Sequence, residues 1–147
     1  MNSLDRFKIA QEVSYPKALE EIKNGMKESH WMWFIFPQII GLGKSETAEF
    51  YAINDLDEAR SYLEDEVLGK RLKEISNELL KLETNSATLV FGSIDSLKLN
   101  SCMTLFDYIS DCDIFSSVID KFYDGRKDEI TLKICEEMSK KTVRRKL

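Results

Sequence analysis

The 147-residue chain holds only two prolines, six glycines, three cysteines and one histidine. Each scarcity excludes something. With so few breakers, long segments run uninterrupted, and most of them read at a helical period. The three cysteines, Cys102, Cys112 and Cys135, are odd in number and widely spaced. That pattern fits reduced thiols rather than a disulfide framework. One histidine and scattered cysteines give no zinc spacing, and no calcium-loop pattern occurs, so no metal site is expected. No cofactor motif is present either: the glycine spacing matches neither a Walker motif nor a dinucleotide fingerprint. No apolar run approaches the length of a membrane span. The start, "MNSLDRFKIAQEV", lacks the apolar centre of a signal peptide, which points to a cytoplasmic protein.

The chain does have charge, unevenly placed. Net charge is −5, which argues against a general nucleic-acid binder. The last eight residues carry Lys140, Lys141, Arg144, Arg145 and Lys146. The rest is left with 16 basic and 26 acidic residues, a balance of −10. The expected organisation is one domain over 1–139 and a basic tail over 140–147, the tail being a solvated helix end.

The fold class is all-α: a single compact domain of eight or nine mostly short helices. Residues 3–13 place Leu4, Phe7 and Ala10 on one stripe. Ser14 is expected to cap a second helix with Pro16 in its first turn, with Ala18, Leu19, Ile22 and Met26 inward and Gly25 near its end. A short aromatic helix opens at Ser29 and stops before Pro37. Ser45 starts a helix through Tyr51. Asp55 and Glu58 form a capping-box pattern for another, with Leu56, Ala59 and Leu63 inward. Over 67–82, Leu68, Leu72, Ile75, Leu79 and Leu82 step by four and three, the clearest helix of the chain. Residues 86–93 read as a connector into a helix near 94. Helices follow near 102–110, 113–123 and 129–139, the middle one with Ile114, Val118 and Phe122 inward. There is no βαβ alternation and no internal repeat.

Two blocks gather the unusual residues. "SHWMWFIFPQIIGLGKSETAEFYAI" (29–53) and "FGSIDSLKLNSCMTLFDYI" (91–109) strongly resemble the defining segments of the domain of unknown function 1810 family, a mainly bacterial group often labelled calpastatin. "RFKIAQ", "DEARSYLEDEVLGKRLKE" and "VIDKFYDGRKDEITL" also match, so the resemblance runs in order along nearly the whole chain. Asn100-Ser101-Cys102 departs from it, standing where a Ser-Ser pair is common. The resemblance implies a compact helical domain and supplies no activity. The calpastatin label implies a protease inhibitor, which would be disordered and polar, unlike this chain. A fainter similarity, "EARSYL…RLKEISNELLKLE…FGSIDSLK", is to YbiA-like domains that process derivatives of ADP-ribose and NAD, without their tryptophan and glycine motif.

Within the first block, His30 set against indole rings would be shielded, neutral, and suited to act as a general base or a polar anchor; the plainer alternative is a ring tying two loops together. Trp31 and Trp33 are two positions apart, about 200° around a helix. One must therefore face the core, and the other is free to stack on a nucleobase or nicotinamide, unless the helix is buried all round. After Gln38, Gly41 and Gly43 free the backbone, and Lys44, Ser45 and the following helix start offer an anion site; a tight turn explains the glycines equally well. In the second block, Asp95 and Lys98 can pair on one helix face or, near a base, do acid–base work or hold a ribose. Ser101 and Thr104 add hydroxyls, with helix capping the alternative for Ser101. A Cys102–His30–Asp95 triad can be written, but neither neighbour of Cys102 favours a thiolate. Two function classes result. One is a site that binds or hydrolyses a nucleotide or ADP-ribose-like molecule, with His30, Asp95 and Lys98 doing the chemistry and Trp31, Trp33, Gln38, Gly41, Gly43, Lys44, Ser45, Ser101 and Thr104 holding the ligand. The other is a non-enzymatic interaction module built on exposed Trp33 and Phe36. No nucleic-acid or membrane partner is expected, and the oligomeric state is left open.

Overall fold

The computed structural model describes residues 3–146, with side chains described through Thr142. Nine helices occur among the described residues: α1 (Asp5–Lys23), α2 (Met32–Ile35), α3 (Glu46–Phe50), α4 (Leu56–Glu64), α5 (Leu68–Lys81), α6 (Ala87–Phe91), α7 (Ser93–Tyr108), α8 (Asp113–Tyr123) and α9 (Glu129–Lys146). The only extended pairing among them is an isolated parallel bridge between Ile39 and Ile53. The protein is an all-α domain, and no described helix is long and apolar enough to cross a membrane.

α7 is the central element. Its buried residues run from Ser96 to Phe106, and it packs against α8, α6, α9 and α4. On the far side, α5 packs between α1, α4 and α8. The four- and three-residue spacing of Leu68, Leu72, Ile75 and Leu79 buries all four completely or nearly so. Each such side chain contributes roughly 1.5–3 kcal/mol of burial. α4 turns sharply into α5 because Gly69 lies against the end of α4: a Cβ there would sit 1.9 Å from the carbonyl oxygen of Leu63.

Two expected breaks are absent. α1 runs through Pro16 as one helix, so Ser14 caps nothing. Pro16 and Glu12 are both exposed, and the hydrogen bond that Pro16 cannot make falls on the solvent side, while Tyr15 and Ala18 keep the inward face continuous. The helices expected near 94 and over 102–110 are likewise one helix, α7. Ser101 is buried in its middle and donates to the carbonyl of Leu97 at 3.2 Å, so it opens no helix. The 86–93 connector contains α6, capped by Ser86 accepting from the Leu89 N–H at 3.2 Å. Met26, expected inward, is 56% exposed. The caps at Ser45 and Asp55 are present, accepting from Ala48 and Glu58 N–H groups at 3.1 and 2.7 Å.

Candidate functional site

The aromatic block is placed by a buried carboxylate. Glu21 stands on the inward face of α1, one turn from Ala18 and beside Ile22. Its Oε1 accepts from the N–H groups of Glu28 and Ser29 at 2.7 and 2.9 Å and from the Trp31 indole at 3.0 Å. Its Oε2 accepts from the Ser29 hydroxyl at 2.7 Å. Burial opposes ionisation of this carboxyl, but the four donors outweigh it and hold its pKa down at about 2. The turn after α1 is thereby fixed, and Trp31 is driven into the core at 1% exposure.

Trp33 then points the other way. It is half-buried, and its indole N–H has no partner among the described residues. Lys98 of α7 lies over its ring, 5.4 Å from the centroid. Lys98 pairs with Asp95 at 3.6 Å, and Asp95 also takes Lys27 at 3.0 Å. Trp31 and Phe36 each meet Phe91 edge to face, at 6.4 and 5.9 Å between centroids. The two sequence blocks therefore meet, and a cleft opens at their junction.

Trp33, Phe36, Gln38, Gly43, Tyr51 and Lys98 line this cleft, with Met32, Ile39, Ala48 and Ala52. Its free volume is ≈ 10 Å³, about the room one water needs. One wall is α2 and α7, both anchored in the core. The other is the 39–53 loop. Its neck is closed by Ile53 N–H donating to Gln38 at 2.8 Å and Ile40 N–H donating to Ile53 at 2.9 Å. Arg6 holds its far end through the carbonyls of Phe50 and Ala52, both at 2.8 Å. Between those ties α3 buries none of its residues. The side-chain polar atoms of Gln38 and Tyr51, like the Trp33 indole, have no hydrogen-bond partner among the described residues. None of the three is a buried atom without a partner, so each is open to solvent, whereas Ser29 and Trp31 are engaged by Glu21.

Of the residues singled out in the sequence, Trp33, Gln38, Gly43 and Lys98 line the cleft, and Asp95 joins Lys98 at its rim. Trp31 is core. Gly43 is in close contact: a Cβ there would meet that of Ala48 at 2.5 Å. Gly41 adopts φ +106°, a conformation glycine allows. Lys44 is exposed with no ion-pair partner among the described residues, and the Ser45 hydroxyl is used as a helix cap. The expected shielding of His30 is not found. α2 begins only at Met32, so His30 stays in the preceding turn, exposed and without a side-chain hydrogen bond among the described residues. Ser101 and Thr104 point away from the cleft and tie α7 to the start of α9. Ser101 reaches Asp128 Oδ2 at 3.3 Å, and Thr104 accepts from the Asp128 N–H at 3.0 Å. Cys102 is fully buried, and burial pushes its thiol pKa well up, away from a thiolate. Phe36, expected exposed, is buried at 1%.

Sequence reasoning does not find Glu21, Lys27 or Tyr51. Glu21 carries a signal, a carboxylate at the inward register of Ala18 and Ile22. Lys27 carries none, because its role comes from a contact across 68 positions.

A family model described as "Protein of unknown function (DUF1810)" matches residues 1–135. The crystal structure of the conserved hypothetical protein Rv1873 from Mycobacterium tuberculosis is similar at 40% identity, over 90% of this chain and 96% of that one, with a TM-score of 0.89. No curated protein matches the chain.

Proposed function

The chain belongs to the DUF1810 family of proteins of unknown function, and on that premise we propose that it binds a small ring-bearing anion, nucleotide-like in character, in the cleft beside Trp33. The observation that carries this reading is the grouping there of three solvent-reachable polar groups that no protein group among the described residues engages. The Trp33 indole N–H, the Gln38 carboxamide and the Tyr51 hydroxyl border an otherwise apolar cleft, with the Lys98 ammonium at the rim. A few placed polar groups on an apolar lining are what orient a small ligand. The Trp33 ring offers a stacking face, the carboxamide both donates and accepts, and Lys98 supplies positive charge.

The reading is one of binding rather than hydrolysis. Asp95 is occupied by two ammonium groups, and His30 does not line the cleft. A ring does not fit in the volume of one water, so the 39–53 wall moves outward when the ligand enters. A thermal-shift series with AMP, ADP-ribose and NAD, repeated on Trp33→Ala and Gln38→Ala, tests the proposal. A ligand at ~100 times its Kd adds about 2.7 kcal/mol. The expected shift appears in the wild type and is lost in Trp33→Ala. No shift with any of the three, or one unchanged in both variants, overturns it.

An interaction module is favoured by a different surface, since Phe36 is core. Leu89, Ile94 and Leu97 are 68–70% exposed on α6 and α7. If they are an interface, Leu97→Glu converts an oligomer to a monomer in light scattering; a wild-type monomer removes self-association from that reading.

A further inference from the structure

A second lysine, outside the lining of the cleft, shares Asp95 with Lys98. Lys27 lies in the turn after α1, where its backbone N–H donates to the carbonyl of Val90 at 2.7 Å. Its side chain is only 8% exposed. The ammonium sits 3.0 Å from Asp95 Oδ2 and 5.1 Å from the centroid of the Trp31 ring. Lys98 approaches the other oxygen of the same carboxylate at 3.6 Å and lies over the second tryptophan, Trp33. Each ammonium has three donors. Among the described residues, Asp95 is the one ionic or hydrogen-bonding partner of either side chain. One carboxylate offsets one of two positive charges, so the group keeps a net charge of +1. The Lys27 side chain is largely covered, and among the described residues Asp95 is the one protein acceptor that reaches its ammonium. A further anion can take the donors that Asp95 leaves unused.

We propose that Lys27 and Lys98 form an anion subsite beside the cleft, joined to it through Lys98, and that its ligand is a phosphorylated ring compound. The phosphoryl group bridges the two ammonium groups while the ring lies against Trp33. The inference rests on the reading of the cleft as a small-molecule site, and it adds the chemical class of the anion. A carboxylate offers no more charge than Asp95 already supplies. A phosphomonoester carries about −1.5 to −2 and three acceptor oxygens, enough to engage both lysines beside Asp95. Asp95 sets the spacing of the ammonium groups and opposes the incoming charge, so it is a positioning residue here.

The test is calorimetric and NMR titration of the full chain with AMP, adenosine and inorganic pyrophosphate. AMP is expected to bind about tenfold more tightly than adenosine, the scale of one charge-assisted hydrogen bond. Lys98→Gln, at a partly exposed site, abolishes that advantage; Lys27→Gln does the same if folded. Asp95→Asn keeps an oxygen for Lys27 and removes the repulsion, so AMP and pyrophosphate bind more tightly to it. Equal binding of AMP and adenosine, or weaker AMP binding in folded Asp95→Asn, overturns the proposal. If neither nucleoside binds, the ring reading fails and pyrophosphate alone decides. Saturable shifts of the Lys27 and Lys98 amides that vanish in Lys98→Gln keep the subsite, and unmoved amides sink it.

Discussion

Removing Trp31 and removing Trp33 have different consequences, because Glu21 holds only the first. Trp31→Ala empties a core position and leaves Glu21 short of a donor, for a loss of about 3–5 kcal/mol. Trp33→Ala costs less, on the order of 1–2 kcal/mol, since its ring is only partly buried. Urea unfolding of the two variants separates these values; equal losses would place both rings in the core. Glu21 also gives acid sensitivity. Its folded pKa of about 2 lies below the ordinary 4.5, so its contribution is complete above pH 4.5 and disappears as pH falls toward 2. A depression of that size is on the order of 3 kcal/mol. Stability measured from pH 7 to 2 is expected to fall below 4.5 in the wild type and to fall less in Glu21→Gln. Parallel curves would contradict this role. At this scale the sequence is partly legible: two tryptophans at that spacing have to face opposite ways. Which one faces inward depends on Glu21, ten residues earlier.

At the scale of elements, the two walls of the cleft differ in how firmly they are held. α2 and α7 contribute buried side chains to the core, whereas residues 40–50 bury none. Regions with few buried contacts open at low free energy. Hydrogen exchange is therefore expected to be fast for amides 41–50 and slow for α7, and AMP is expected to slow the loop. Slow exchange throughout 41–50 in the free protein would mean a rigid wall and a closed cleft. Gly69→Ala tests the other tight junction. A Cβ 1.9 Å from a backbone oxygen cannot be accommodated by side-chain adjustment, so thermal unfolding is expected to show a loss of at least about 1–3 kcal/mol. Most elements are readable from period and caps, as in α5 with its leucines and α3 with Ser45. The two false breaks have one cause. Pro16 and Ser101 are local stop or start signals, and the packing of α1 and α7 overrides both.

For the molecule as a whole, the helical class follows from sparse breakers and repeated apolar spacing, and the site follows only in outline. Each block holds unusual residues, but their meeting is a property of the tertiary fold. The contact of Lys27 with Asp95 and of Lys98 with Trp33 joins the turn after α1 to α2 and the start of α7, and no local pattern encodes it. Ser101 and Thr104 show the converse, since their hydroxyls belong to the clamp on Asp128. The central claim is that Trp33, and not Trp31, faces a ligand. The most direct measurement is an NMR titration with AMP that follows the two indole N–H signals. The expected result is a saturable shift of the Trp33 indole, with the Trp31 indole unmoved in its bond to Glu21. An unmoved Trp33 signal at saturating AMP, or shifts confined to residues outside the cleft, would contradict it.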